Sequence, residues 1–167
     1  METLIFTAGV LLAMGISLGV GSSTLAVLNF FVAIKDGKIE ETERHFMGIT
    51  YIVLRVAMVI ILFSSATLVL TIGQEYLNTY TVAQFLLIGM LYLNAILMTL
   101  RLMPSTFGPA IQASSWYTLG FLLAFYNQGV SDFSMTTFLL GYLAMFLVAV
   151  AIINGVMGYL KSQRKEA

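Results

Sequence analysis

The stretch LIFTAGVLLAMGISLGVGSSTLAVLNFFVAI, Leu4 to Ile34, carries no charged side chain and stops at the polar tetrapeptide Lys35-Asp36-Gly37-Lys38. About 20 predominantly apolar residues are enough for an α-helix to cross the hydrocarbon core of a bilayer. The run therefore predicts a spanning helix. The acidic Glu2 stands where a cleavable signal peptide would carry a basic residue. Read outward from this stretch, the chain predicts further helices over about 46–72, 82–103, 110–128 and 133–160. The second extends back toward Ile39, placing Glu40, Glu41 and Glu43 in its first turn, where carboxylates complement the positive helix terminus. Pro104 stops the third, and Gly108 with Pro109 reads as loop. The fourth is the most polar, opening with Gln112, Ser114 and Ser115. The fold expected is an all-α membrane protein, one integral membrane domain over residues 1–167, built as a bundle of five transmembrane helices.

Composition agrees. Hydrophobic residues make up 59% of the chain and charged residues 10%, against roughly 45–50% and 25% in soluble domains; the mean hydropathy is +0.94. Eight acids balance eight bases, so no net field recruits nucleic acid. Cysteine is absent, which removes disulfides, thiolate metal sites and a cysteine nucleophile.

Threading the five segments alternately through a bilayer puts every Lys and Arg between or beyond them on one side. Lys35, Lys38 and Arg44 fall in the first connection, Arg101 at the end of the third segment, and Lys161, Arg164 and Lys165 in the tail. The other side carries Glu2, Glu75 and Asp132 and no base. Lys and Arg in short loops face the cytoplasm. The expectation is therefore amino terminus out, carboxyl terminus in, with an odd number of spans.

Helices in hydrocarbon associate through small residues that let backbones approach. The first segment carries Gly15, Gly19, Ser22, Ala26, Asn29 and Ala33 at alternating steps of four and three, and the fifth carries Gly141, Ala144, Val148, Ala151, Gly155 and Gly158. Both stripes are expected to face protein, either inside the bundle or as the seam of a homo-oligomer.

Arg55 is the only ionisable residue well inside a predicted span. Counted from Phe46 at about 1.5 Å per residue, it lies roughly 13 Å along the helix. Similar counts put Asn29, Asn94 and Asn154 in the same half of the bilayer, so four spans each offer one strong polar group to a common layer. An intramembrane Arg costs at least about 2.5–3.5 kcal/mol and faces a bundle interior or a wet cavity. Two roles fit: a clamp held by the asparagines or by Glu40 and Glu43, and a binding group for an anion. His45 is the only histidine, so haem held by two histidines within one bundle needs a second chain or a methionine ligand. Trp116, Tyr117 and Tyr126 read as interfacial anchors.

The run from Gly15 to Thr24, then Asn29-Phe30-Phe31, Lys35-Asp36-Gly37-Lys38-Ile39, Arg55, Asn94 and Leu102-Met103-Pro104, resembles a family of small bacterial polytopic inner-membrane proteins. That family shows a glycine-rich first span and an FF–DG–I loop. The resemblance covers roughly residues 15–104 and implies a bacterial inner-membrane location and no particular activity. Some members carry a histidine near the end of the third helix, where this chain has Arg101.

The residues form no catalytic constellation, and no carboxylate lies within a span to couple protons or cations. The expected role is that of a non-catalytic integral membrane protein acting through helix packing, as an accessory or assembly subunit. Its partners would be the lipid bilayer and a homo-oligomer or other membrane subunits, with no cofactor, metal or nucleic acid. The alternative is a small-solute or anion transporter or channel with its site around Arg55, and the remote alternative a haem-binding redox membrane protein.

Overall fold

The computed structural model describes residues 1–35, 40–103 and 107–166, apart from the side chains of residues 34, 35, 74, 161 and 164–166. The chain forms α1 (Glu2–Lys35), α2 (Glu41–Ile72), α3 (Thr79–Thr99), α4 (Phe107–Asn127) and α5 (Met135–Glu166), with a 3-10 turn, Gly73–Tyr76, after α2. Among the described residues, α1, α2, α3 and α5 are long and apolar enough to cross a membrane. Consecutive helices are antiparallel. Asn29 meets Thr50, Tyr80 stacks on Tyr126 at 4.8 Å, Asn94 meets Gly108, and Ser115 meets Tyr142. One end of the bundle thus gathers Arg44, His45 and Arg101 together with Glu40, Glu41 and Glu43, the other Glu2, Glu75 and Asp132 with no base among the described residues. We call them the basic and acidic ends.

Capping moves the helix ends from where hydropathy puts them. Asn78 accepts a hydrogen bond from the Thr81 amide at 3.0 Å, starting α3 ahead of Val82. Ser134 does the same for Thr137 at 3.0 Å, at the start of α5. At its far end α3 stops at Thr99 rather than Met103. Arg101 adopts a left-handed φ of 58°, its amide donating to the Met98 carbonyl and that of Leu102 to Leu97, at 3.1 and 2.9 Å. This is the Schellman pattern, in which glycine is the usual occupant. Gly129 fills the equivalent place after α4, with φ 77°. Gly108 and Pro109 do not form a loop, contrary to expectation; they lie in the first turn of α4. Proline is tolerated there because first-turn amides have no intrahelical acceptor. The Asp36–Gly37–Ile39 loop and Pro104 lie outside the described residues.

The most polar helix is the central one. Much of α4 is buried, including Ala110, Ser114, Ser115, Trp116, Leu119 and Leu122, while Tyr117, Phe121 and Phe125 form an exposed face on its second half. Its exposed face is aromatic, and its buried serines and threonines are satisfied internally. Thr118 donates to the Ser114 carbonyl at 2.7 Å, and Ser115 pairs with the Tyr142 hydroxyl at 3.0 Å. The outward surface, in contrast, is Leu, Ile, Val and Phe, with Phe6, Phe63 and Leu70 among the most exposed. An apolar exterior around a partly polar interior is the arrangement a bilayer selects. Trp116 is no interfacial anchor: it is fully buried. The Cε3–Cζ3–Cη2 edge of its ring occupies the place where a Cβ on Gly19 would stand.

The α1 stripe packs as expected. Gly15, Gly19, Ser22 and Ala33 are buried and Ala26 half-buried, and a Cβ on Gly15 would lie 2.8 Å from Ile61 Cγ2. Internal packing fails for the α5 stripe. Gly141, Ala144, Val148, Ala151, Gly155 and Gly158 are all exposed, and a Cβ on any of the three glycines would meet nothing within 4 Å. The reason lies in which face α5 turns inward. Its buried and half-buried residues include Phe138, Tyr142, Met145, Phe146, Val150 and Ile153, so mostly bulky side chains make the seam with α4 and α1.

Gly19→Ile should overpack the Trp116 contact, costing about 1–3 kcal/mol and lowering the unfolding midpoint in detergent by several degrees. Gly155→Ile should leave the monomer's midpoint unchanged. Equal losses from the two would contradict the outward position of the α5 stripe.

Candidate functional site

Gln84 on α3 donates to Ser65 Oγ on α2, holding these two helices together in the acidic half. Toward the basic end they part. The space between them, floored by α4, is a cleft of about 250 Å³. Its polar lining is Tyr51 and Arg55 from α2, Asn94 and Thr99 from α3, and Gln112 and Trp116 from α4. Leu54, Met58, Leu91 and Met98 supply apolar walls. A second hollow, about 380 Å³, adjoins it on the outer side of α2 and α3 and shares Arg55, Met58, Ala95 and Thr99. Arg55 stands where the two meet.

Two buried polar atoms of the cleft lack partners. Asn94 is 3% exposed, and its amide nitrogen donates to the Gly108 carbonyl at 3.0 Å. A carbonyl oxygen only accepts, so this bond fixes which way the amide points and leaves Oδ1 on the opposite side. Asn94 Oδ1 has no hydrogen-bond partner, nor has Trp116 Nε1. The indole's benzo edge is the one against Gly19, so the N–H lies on the edge away from α1. Among the described residues, Arg55, Tyr51 and Gln112 form no hydrogen bond with one another or with these two groups. Thr99 spends its hydroxyl on the Ala95 carbonyl at 2.8 Å. A small neighbouring cavity of about 10 Å³, lined by Ser23, Tyr51 and Gln112, is of the order one water needs; Ser23 Oγ is likewise unpartnered.

The expected four-span polar layer does not assemble. Of Arg55, Asn29, Asn94 and Asn154, only Arg55 and Asn94 share the cleft. Asn29 instead donates to Thr50 Oγ1 at 3.4 Å, tying α1 to α2. Asn154 is exposed on α5. The clamp also fails for Arg55, which is exposed and holds no asparagine. Glu43 is engaged elsewhere, accepting from the Glu40 amide at 3.1 Å. Arg55 lies beside Ala95, Thr99 and Leu100, level with the last turns of α3, while α2 continues well beyond it to Glu41. His45 is exposed near the start of α2. Trp116 and Gln112 were not singled out as site residues; hydropathy marks α4 as weak without showing that its polar face meets Arg55.

Comparison with protein-family models, with curated proteins and with solved structures gives no match.

Asn94→Leu removes the donor to the buried Gly108 carbonyl and should destabilise the bundle by about 1–3 kcal/mol. Asn29→Leu, which breaks one long bond at a half-buried position, should cost less than half as much. Denaturant unfolding in mixed micelles measures both.

Proposed function

We propose that this chain is a non-catalytic integral membrane protein that binds an anionic group beside Arg55. The observation that carries the reading is the cleft itself, whose lining combines the exposed Arg55 with Asn94 and Trp116, whose Oδ1 and Nε1 are buried and unpartnered. Buried polar groups are paired in nearly all folded proteins, and an unpaired one costs about 1–3 kcal/mol. A ligand that pairs these groups recovers that cost on binding. An Arg within an apolar span, with no acid among the residues lining the cleft, takes an anion by the same logic. This is binding rather than passage, because Ile61, Leu87 and Ile88 fill the interior on the acidic side.

The reading places the protein in a bacterial inner membrane, amino terminus outside and basic end inside. Two things support the orientation and the count of five spans: the one-sided bases, and α4, whose 21 residues extend about 31 Å, with an exposed face of Tyr117, Phe121 and Phe125. A reporter fused at Ala167 should then behave as cytoplasmic; periplasmic activity would overturn orientation and span count together. For the site, dodecyl phosphate added to protein in dodecyl maltoside should raise the unfolding midpoint by several degrees, since saturation at 100 times Kd adds about 2.7 kcal/mol. Arg55→Leu should fold normally and lose the rise. A rise of the same size in Arg55→Leu would sink the proposed site.

An assembly role is the second reading, and the exposed α5 face supports it. α5 is the least buried of the long apolar helices, and its small residues leave open the close backbone approach that membrane helices use to associate. All copies enter the bilayer the same way round, so an α5–α5 seam is parallel. Crosslinking through a cysteine introduced at Ala151 should trap dimers; recovery of monomer alone would leave the cleft as the sole functional feature.

A further inference from the structure

The cleft's donors and acceptors specify more than a negative charge. Arg55 and the Trp116 N–H offer donors, whereas Asn94 Oδ1 demands one. A phosphodiester or carboxylate only accepts at neutral pH. A bare anion therefore pairs Arg55 and the indole and leaves Asn94 Oδ1 stranded at 3% exposure. A hydroxyl next to the anionic group completes the set. The adjoining outer hollow adds a second requirement. Val59, Ile96 and Leu100 line it, all three exposed on the outer, lipid-facing surface of the bundle, and it meets the cleft at Arg55. A molecule with its charge at Arg55 can thus direct a polar head inward to Asn94 and Trp116 and an apolar chain outward between α2 and α3.

We infer that the cleft binds a hydroxyl-bearing anionic lipid, taken laterally from the leaflet at the basic end. The anion rests on Arg55, the head-group hydroxyl donates to Asn94 Oδ1, a head-group oxygen accepts from Trp116 Nε1, and the acyl chains lie in the outer hollow. This rests on the anion-binding reading above and narrows it to a lipid source and a head-group type. The cleft is sized for a head group and not for chains, which is why the outer hollow matters. Arg55 lies mid-way along α2 (Glu41–Ile72) but level with the last turns of α3, and its long stem lets the guanidinium reach from there toward the phosphate level of a leaflet.

Trp116 is the chain's one tryptophan, so fluorescence excited at the red edge, where the eight tyrosines do not absorb, reports the cleft alone. The full chain in dodecyl maltoside is titrated with four probes: dioctanoylphosphatidylglycerol, dioctanoylphosphatidylmethanol, glycerol 3-phosphate and inorganic phosphate. The two lipids carry the same charge and chains, and only the first has head-group hydroxyls. The expected result is a saturable change in emission with phosphatidylglycerol and binding about tenfold weaker with phosphatidylmethanol, the ratio one buried hydrogen bond gives. The two free phosphates should produce no change over the same range. Arg55→Leu should abolish the response and Arg55→Lys retain part of it. Equal affinity for the two lipids would overturn the hydroxyl requirement and leave the anion site standing. Free phosphates binding as tightly as the lipids would overturn the lateral, lipid source and also leave it standing. No response to any anion, with Arg55→Leu indistinguishable from the parent chain, would remove both the inference and the reading beneath it.

Discussion

The seating of Trp116 on Gly19 is the contact on which the rest of the bundle depends. The ring edge fills the volume that any side chain at Gly19 would take, and it fixes the rotation of α4 about its own axis. With that rotation set, Ser115 faces α5 and pairs with Tyr142. Gln112 then faces the cleft with the indole, and Leu119 and Leu122 join the core with Leu87 and Leu91 of α3. A membrane bundle has no large hydrophobic gain from helix association, so close packing at small residues carries more of the load. A single glycine therefore bears on the position of every polar group of α4.

The cleft follows from two further local features. The Gln84–Ser65 bond joins α2 and α3 in the acidic half, and nothing equivalent among the described residues joins them in the basic half. The end of α3 comes early because Arg101 takes a left-handed conformation, which costs a non-glycine residue roughly 1–2 kcal/mol. In return, a cation stands at the negative end of the α3 dipole, and the chain turns away level with Arg55. The open space, the exposed Arg and the unpartnered indole are thus consequences of how two helices diverge, and they occur together for that reason.

Much of this was legible in the sequence. Five helices, their approximate limits and the packing role of Gly15 and Gly19 all follow from charge-free length and small-residue spacing. Arg55 and Asn94 stood out because polar groups are rare in apolar runs. The parts that were not legible share a cause: periodicity states which residues share a face, not which neighbour covers it. The stripes on α1 and α5 look alike in sequence, yet one is buried against Ile60, Ile61 and Trp116 and the other is exposed, because bulky residues took the inner face of α5. Depth counting put Asn29 and Asn154 level with Arg55 and could not show that they point elsewhere. Trp116 read as an interfacial anchor because composition assigns tryptophan to that zone, while the gap at Gly19 that receives it lies on another helix. Capping by Asn78 and Arg101 shifted boundaries that hydropathy alone averages over.

The indole N–H of Trp116 is the most direct reporter of whether the cleft is an open binding site. Labelled with 15N at the indole, the protein gives one side-chain resonance from its one tryptophan, free of overlap. In micelles without anionic lipid that proton should exchange with solvent deuterium within minutes. On addition of phosphatidylglycerol its resonance should move downfield and its exchange slow, as a hydrogen bond forms. A resonance that resists exchange from the outset and does not move on titration would contradict an open cleft, and would mean that the indole and Arg55 serve packing alone.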